Sequence, residues 1–179
     1  MLKSKYQELV PTLKSELNLH SSLAVPRLVK VVLNAGVGSR AQADSKLIDQ
    51  VVAEFANITG QKPIVTKAKK SIAGFKLREG MPVGVTVTLR GAKMYDFLER
   101  LINVTLPRVR DFQGLDLTGF DTQGNYNIGI KEHTVFPEVT FEATEKNFSF
   151  QITVVTTAKS KEATKLLLQS LGFPFKKDK

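Results

Sequence analysis

The chain of 179 residues has no cysteine and no tryptophan, and its only histidines are His20 and His133. Without cysteine there is no disulfide, no Cys-ligated zinc, no iron–sulfur cluster and no thiol nucleophile, which fits a reducing compartment. Two histidines 113 positions apart are a poor basis for a nucleophilic site, and a lone histidine is more often structural. Long apolar runs are missing too. The longest stretch free of Asp, Glu, Lys and Arg is Asn147 to Ala158, twelve residues rich in Thr, Gln and Ser, whereas a helical bilayer span needs about 20 largely apolar ones. Met1 to Val10 carries Lys3, Lys5 and Glu8 with no apolar core behind it, so no secretory signal is expected and the chain reads as soluble and intracellular. Glu138, Glu142 and Glu145 form the one acidic cluster; without a metal-ligand pattern they read as a solvated face. No cofactor, metal or enzymatic activity is expected.

What the chain does have is core-forming material and one-sided charge. It is 42% hydrophobic and 24% charged, and a fold of this length buries roughly 70% of the surface its unfolded chain exposes. Residues 1–179 are therefore expected to form a single domain without a structural metal, with no internal repeat or linker. Lys and Arg number 26 against 17 Asp and Glu, a net charge of +9. Residues 1–90 hold 14 basic and 6 acidic groups, net +8, and residues 91–179 hold 12 and 11, net +1. Concentration of the excess in one half points to a polyanionic partner, most often nucleic acid.

Periodicity supplies the elements. Leu2, Tyr6, Leu9, Val10, Leu13 and Leu17 recur at helical spacing, with Pro11 as a point where the helix kinks or restarts. Arg27 to Ala35 fits a strand with Val29, Val31 and Leu33 inward and Lys30, Val32 and Asn34 outward. Leu47 to Ile58 is a second helix, closed by Gly60, and Pro63 to Thr66 is a short extended piece. Val83 to Arg90 alternates without a break, Val83, Val85, Val87 and Leu89 against Thr86, Thr88 and Arg90. A helical stripe from Met94 to Ile102 has to end before Pro107, and a glycine-rich region from Gly114 to Gly129 reads as turns around short strands. Phe148, Phe150, Ile152 and Val154 mark another strand, and Ser160 caps a last helix running to Gly172. Strands with one apolar and one polar face argue against a doubly wound parallel sheet. The expected fold is α+β: a largely antiparallel sheet with helices packed on one face and the other face open to bind RNA.

The chemistry is concentrated in the basic half. Gly36-Val37-Gly38 follows a strand, but it has neither the third glycine of a dinucleotide fingerprint nor the Gly-Lys-Ser/Thr ending of a P-loop. A turn whose backbone approaches a phosphate and a plain turn both remain open. Lys67 to Gly80 holds five basic residues and one acid in fourteen, with Ile72 and Phe75 interleaved. Such a segment follows a phosphate backbone while a side chain packs on a sugar or base. An antiparallel sheet would gather Lys30 and Asn34 with Thr86, Thr88 and Arg90 on the outward face, flanked by Gln61 and Lys62. Hydroxyls, amides and cations in that mixture suit RNA.

Several blocks carry a resemblance. Val25-Pro26-Arg27, Leu33-Asn34-Ala35-Gly36-Val37-Gly38, Thr59-Gly60-Gln61-Lys62-Pro63, Thr66 to Lys76 and Val87-Thr88-Leu89-Arg90-Gly91 resemble successive signature blocks of the ribosomal protein L-five family. Leu106-Pro107-Arg108-Val109-Arg110-Asp111-Phe112, Gly124-Asn125-Tyr126 and Thr156-Thr157-Ala158-Lys159 continue the likeness in order, most similar to the bacterial branch. The resemblance implies a cytoplasmic, ribosome-bound protein of the large-subunit central protuberance that binds 5S rRNA and touches the large-subunit rRNA. It also implies a basic loop reaching peptidyl-site tRNA and contact with a small-subunit ribosomal protein at an intersubunit bridge, expected in the glycine-rich half. Carried over, the rRNA-facing positions are Asn34, Gln61, Thr88 and Arg90, with Arg27, Lys30, Lys62 and the turn from Gly36 to Gly38 beside them. The tRNA-facing loop is Lys67 to Gly80, with Lys67, Lys69, Lys70, Ser71, Phe75, Lys76 and Arg78 as its contacts. Two rivals stay open: a free-standing RNA chaperone or regulator, and an enzyme using the Gly36 turn, for which no good catalytic acid or base is at hand.

Overall fold

In the structure, a computed structural model that describes residues 1–41, 46–139 and 147–176, five strands make one sheet. They are β1 (Leu28–Gly36), β2 (Ile64–Lys67), β3 (Pro82–Leu89), β4 (Tyr126–Ile130) and β5 (Phe150–Thr156), in the spatial order β2-β3-β1-β5-β4. Helices α1 (Leu2–Glu16), α2 (Gly38–Ala41), α3 (Lys46–Thr59), α4 (Gly91–Arg100) and α5 (Lys161–Leu171) complete an α+β fold with a largely antiparallel, open sheet. The chain divides into two compact units, one from Met1–Val31, Leu89–Ile128 and Thr153–Lys179, the other from Val32–Thr88 and Gly129–Ile152.

In the first unit α1 lies against α4 and α5. The backbone N–H of Leu2 donates to Glu99 of α4 at 3.1 Å, and the Lys5 ammonium donates to the Leu171 carbonyl at the end of α5 at 3.1 Å, where a cation offsets the partial negative charge of the helix terminus. Ser160 caps α5 by accepting from the Ala163 N–H at 3.3 Å, and Gly172 ends it with φ +104°. Helix α1 runs through Pro11, which costs one backbone donor without breaking the helix. The α-helix ends before Pro107 as expected, although helical turns follow it. After α4 the chain winds on as a π-helical turn, Leu101–Thr105, and a 3₁₀ turn, Leu106–Arg108; a proline at the second position of that turn has no N–H to leave unsatisfied.

In the second unit β2 and β3 pair antiparallel, Ile64 opposite Thr86, Val65 opposite Val85 and Thr66 opposite Gly84, before the register shifts at Lys67. Gly84 has to be glycine. A Cβ there would lie 2.7 Å from the Ala35 carbonyl oxygen and 3.0 Å from the Thr66 hydroxyl. Helix α3 turns Leu47, Ile48, Val51, Phe55 and Ile58 inward, and Phe55 packs edge-on against Phe150 with centroids 5.2 Å apart, and on Phe148 at 5.9 Å.

Strand β3 alternates from Val85 onward, with Val85, Val87 and Leu89 buried, whereas Val83, expected inward, is only half-buried. Strand β1 corrects one expected position: Val31, Leu33 and Ala35 are buried, but Val29 is 40% exposed and Leu28 is buried instead. The alternation slips between Leu28 and Val31, and valine at 29, 31 and 32 gives no hint of where.

Candidate nucleic-acid interface

The outward face of the second unit starts from the pleat. On β1, Leu33 and Ala35 go to the core while Asn34 and Gly36 are exposed; on β3, Val85 and Val87 go inward while Thr86 and Thr88 are half-exposed. The turn after α3 adds Gln61 and an exposed Lys62. That turn is fixed by Thr59, whose hydroxyl donates to the Phe55 carbonyl at 2.6 Å and accepts from the Gln61 N–H at 3.3 Å. The Gln61 amide then donates to the Thr88 carbonyl at 3.0 Å, and the Thr86 hydroxyl donates to the Leu33 carbonyl at 2.9 Å. Gln61 and Thr86 are thus partly committed to holding the sheet. The side chains of Asn34, Lys62 and Thr88 have no hydrogen bond or ion pair among the described residues, so their bonding capacity is available.

The Gly36 turn is a close-packed corner. The Val37 N–H donates to the Val83 carbonyl at 3.1 Å, and a Cβ on Gly38 would sit 3.3 Å from Val83. Close approach of two backbone segments accounts for Gly38. Gly36 has open space where a Cβ would be.

The first unit holds Arg27, Lys30 and Arg90. Arg27 is exposed just before β1, where its backbone exchanges bonds with Thr157: its N–H donates to the Thr157 hydroxyl and its carbonyl accepts from the Thr157 N–H, each at 3.0 Å. Burial raises the pKa of Tyr6 and Tyr95, and the Arg27 charge pulls both the other way. Lys30 is half-buried, and exposed Arg90 stands in extended conformation just before α4.

The basic segment is a tied finger. Its base continues the β2–β3 pairing, Ala68 N–H to the Met81 carbonyl at 2.8 Å and Gly80 N–H to the Ala68 carbonyl at 2.9 Å. Ile72 and Leu77 bridge each other at 2.9 and 3.1 Å around a single 3₁₀ turn, Ala73–Phe75, and Lys76 closes it with φ +51°. The Ser71 hydroxyl accepts from the Glu79 N–H at 2.9 Å, so Ser71 clasps the finger as well as facing solvent. Lys67, Lys69, Lys70, Lys76 and Arg78 carry no side-chain hydrogen bond or ion pair among the described residues. Within residues 67–80 all but the half-buried Ala68 and Leu77 are exposed, and Ile72 and Phe75, 47% and 69% exposed, are at the tip.

Sequence reasoning missed the far end of the same unit. Ser149 and Gln151 of the β5 region, Gly129 of β4 and Lys131 line an open recess of about 420 Å³ together with Asn34 and Gly36. The outward phase of Ser149 and Gln151 is visible in the sequence; that β5 lies beside β1 is not. His133 is no part of a site. It is fully buried against Phe148. Glu142 and Glu145 lie outside the described residues.

Fold and surface together define a basic α+β scaffold that presents amides, hydroxyls and cations from an open sheet and a tied finger. Residues 21–78 match the family described as Ribosomal protein L5, and residues 82–175 match the model of the same family's C-terminus. The chain is 51% identical over 177 residues to the large ribosomal subunit protein uL5 of Brachyspira hyodysenteriae, covering 98% of this chain and 94% of that protein. It is 53% identical over 169 residues to the protein of the same name from Halothermothrix orenii, covering 94% of each. The chain belongs to the ribosomal protein L5 family, and it is a structural protein, not an enzyme.

Proposed function

We propose that this protein is a structural constituent of the large ribosomal subunit that docks 5S rRNA on its open sheet face and touches large-subunit rRNA beside it. Its finger, residues 67–80, reaches peptidyl-site tRNA, and the protein meets a small-subunit protein at an intersubunit bridge. The large subunit as the place of assembly follows the name both relatives carry; the finer partners follow the family likeness. The observation that carries the reading is the division of uncommitted polar groups. On the sheet side of the second unit Asn34, Lys62 and Thr88 are unspent, with Gln61 and Gly36 beside them, and the finger holds five cations without a partner among the described residues, around an apolar tip. Hydroxyls and amides on an open sheet bond 2′-hydroxyls and phosphates without a pocket, and a cationic finger follows a backbone while its tip packs on sugar or base. Arg27, Lys30, Arg90 and Gly38 are proposed as further rRNA contacts.

Two variants test the division of labour. Arg90→Ala should fold as the parent does and weaken 5S rRNA binding by roughly 1–3 kcal/mol. Lys69→Ala with Lys70→Ala should leave incorporation into large subunits intact, reduce peptidyl-site tRNA retention, and lower the salt slope of that retention by roughly 0.7–0.9 per lost phosphate contact. Isolated 5S rRNA affinity that falls steeply in the double variant, with tRNA retention unchanged, would make the finger an rRNA clamp. A native protein absent from large subunits in high-salt sucrose gradients would favour a free-standing RNA chaperone.

A further inference from the structure

The recess on the second unit opens at the outward positions of the pleat: Asn34, Gly36, Gly129 and Gln151 are exposed where Leu33, Ala35 and Ile152 are buried, as Thr88 is turned outward where Val87 is buried. Its walls are unusual in where side chains are missing. Gly36 and Gly129 each have nothing within 4 Å of the place a Cβ would occupy, so two strands contribute bare backbone and the space between them stays open. Asn34 and Gln151 supply side-chain amides, and Lys131 supplies an exposed cation with no ion pair among the described residues.

The geometry points to a subsite for one unstacked nucleotide of the bound RNA, its base in the recess between the Asn34 and Gln151 amides and its phosphate at Lys131. This rests on the sheet face being the RNA-binding surface. The openness of the recess argues against a free metabolite, since small-molecule sites enclose most of their ligand. A nucleotide tethered by the rest of its RNA needs only one face covered. The base has to be unpaired: A-form duplex hides its base edges in a deep, narrow major groove, and sequence-reading contacts go to splayed bases in loops and bulges. Carboxamides fit such an edge because each offers a donor and an acceptor side by side.

Gly129→Val tests this directly. The new side chain enters open space and valine suits a strand, so thermal stability should be equal or higher while the recess is filled. With a 5S rRNA transcript, affinity should fall about tenfold. One unpaired adenine or cytosine shielded from dimethyl sulfate by the parent should become reactive in the variant complex. Gln151→Ala should expose the same base, and Lys131→Ala should lower the salt slope by roughly 0.7. If Gly129→Val does not fold, these two carry the test. Parental affinity and parental protection in the variants, with Arg90→Ala weakened, would overturn the subsite and leave the sheet reading standing. Parental affinity in Arg90→Ala as well would remove the sheet reading and the subsite with it.

Discussion

Burial takes His133 out of the chemistry histidine usually offers. Its ring stacks on Phe148, centroids 4.0 Å apart and planes 15° from parallel; Nδ1 accepts from the Phe148 N–H at 3.4 Å, and Nε2 is buried without a hydrogen-bond partner among the described residues. Burial pushes its pKa down, and the Glu132 charge only partly restores it, while the bond accepted from the Phe148 N–H itself favours the neutral ring. The unfolded chain, with a pKa of about 6.5, therefore takes up this proton before the folded one does. The His133 contribution is fully kept above that value and is lost as pH falls below it toward the folded pKa. Replacing His133 with Phe keeps a stacked ring and removes the proton. Melting curves between pH 7 and pH 5 should show the parent losing stability more steeply than the variant; equal slopes would mean the imidazole is not held neutral. Other single residues explain family blocks through packing. Gly124 has φ +78°, a Cβ there would meet the Ala158 carbonyl at 2.6 Å, and its own carbonyl accepts the hydroxyls of Thr156 and Thr164, each at 2.7 Å. The recurrence of Gly124-Asn125-Tyr126 with Thr156 to Lys159 thus reflects a buried polar knot, and a resemblance in sequence does not separate such positions from ligand-binding ones.

Among the elements, β3 shows most plainly how alternation becomes a division between core and surface. Val87→Asp would put a carboxylate into the apolar layer, where burial without a partner costs several kcal/mol, and the protein should become insoluble or molten. Thr88→Asp, on the outward side, should fold and melt cooperatively, because the Thr88 bond to Gln61 uses its backbone carbonyl. Comparable folding of both variants would mean the register is wrong. The elements themselves were legible: caps at Ser160 and Gly172, apolar stripes in α3 and α4, and strict alternation in β3 and β5 are all local patterns. What local pattern could not show was decided by pairing. The phase slip in β1, the helical winding through Pro107 and the folding of residues 67–80 into a finger depend on partners distant in sequence or on a turn's own hydrogen bonds. The cationic character of the finger was readable from composition, but its closure at Ile72 and Leu77 was not.

At the scale of the whole molecule the chain is interleaved. Each unit is assembled from segments far apart in sequence, whereas the family matches divide the chain once, between residues 78 and 82. A fragment of residues 1–90 would hold β2, β3 and α3, but Phe55 would lack Phe148 and Phe150. Such a fragment should show no cooperative melting by circular dichroism, and a sharp transition would contradict the assignment. Strand order explains why the candidate site was only half visible. Asn34, Gln61 and Thr88 come from neighbouring segments of the basic half, but Lys131 and Gln151 join Asn34 only because β5 and β4 lie beyond β1. Interleaving also has a meaning in time. During synthesis the second unit cannot close until Ile152 has been added, 64 residues after Thr88, which takes roughly 3–13 s at about 5–20 residues per second. For that interval the half of the chain with net charge +8 is exposed without its aromatic core partners, and early RNA capture is then a competitor to folding as much as a prelude to assembly.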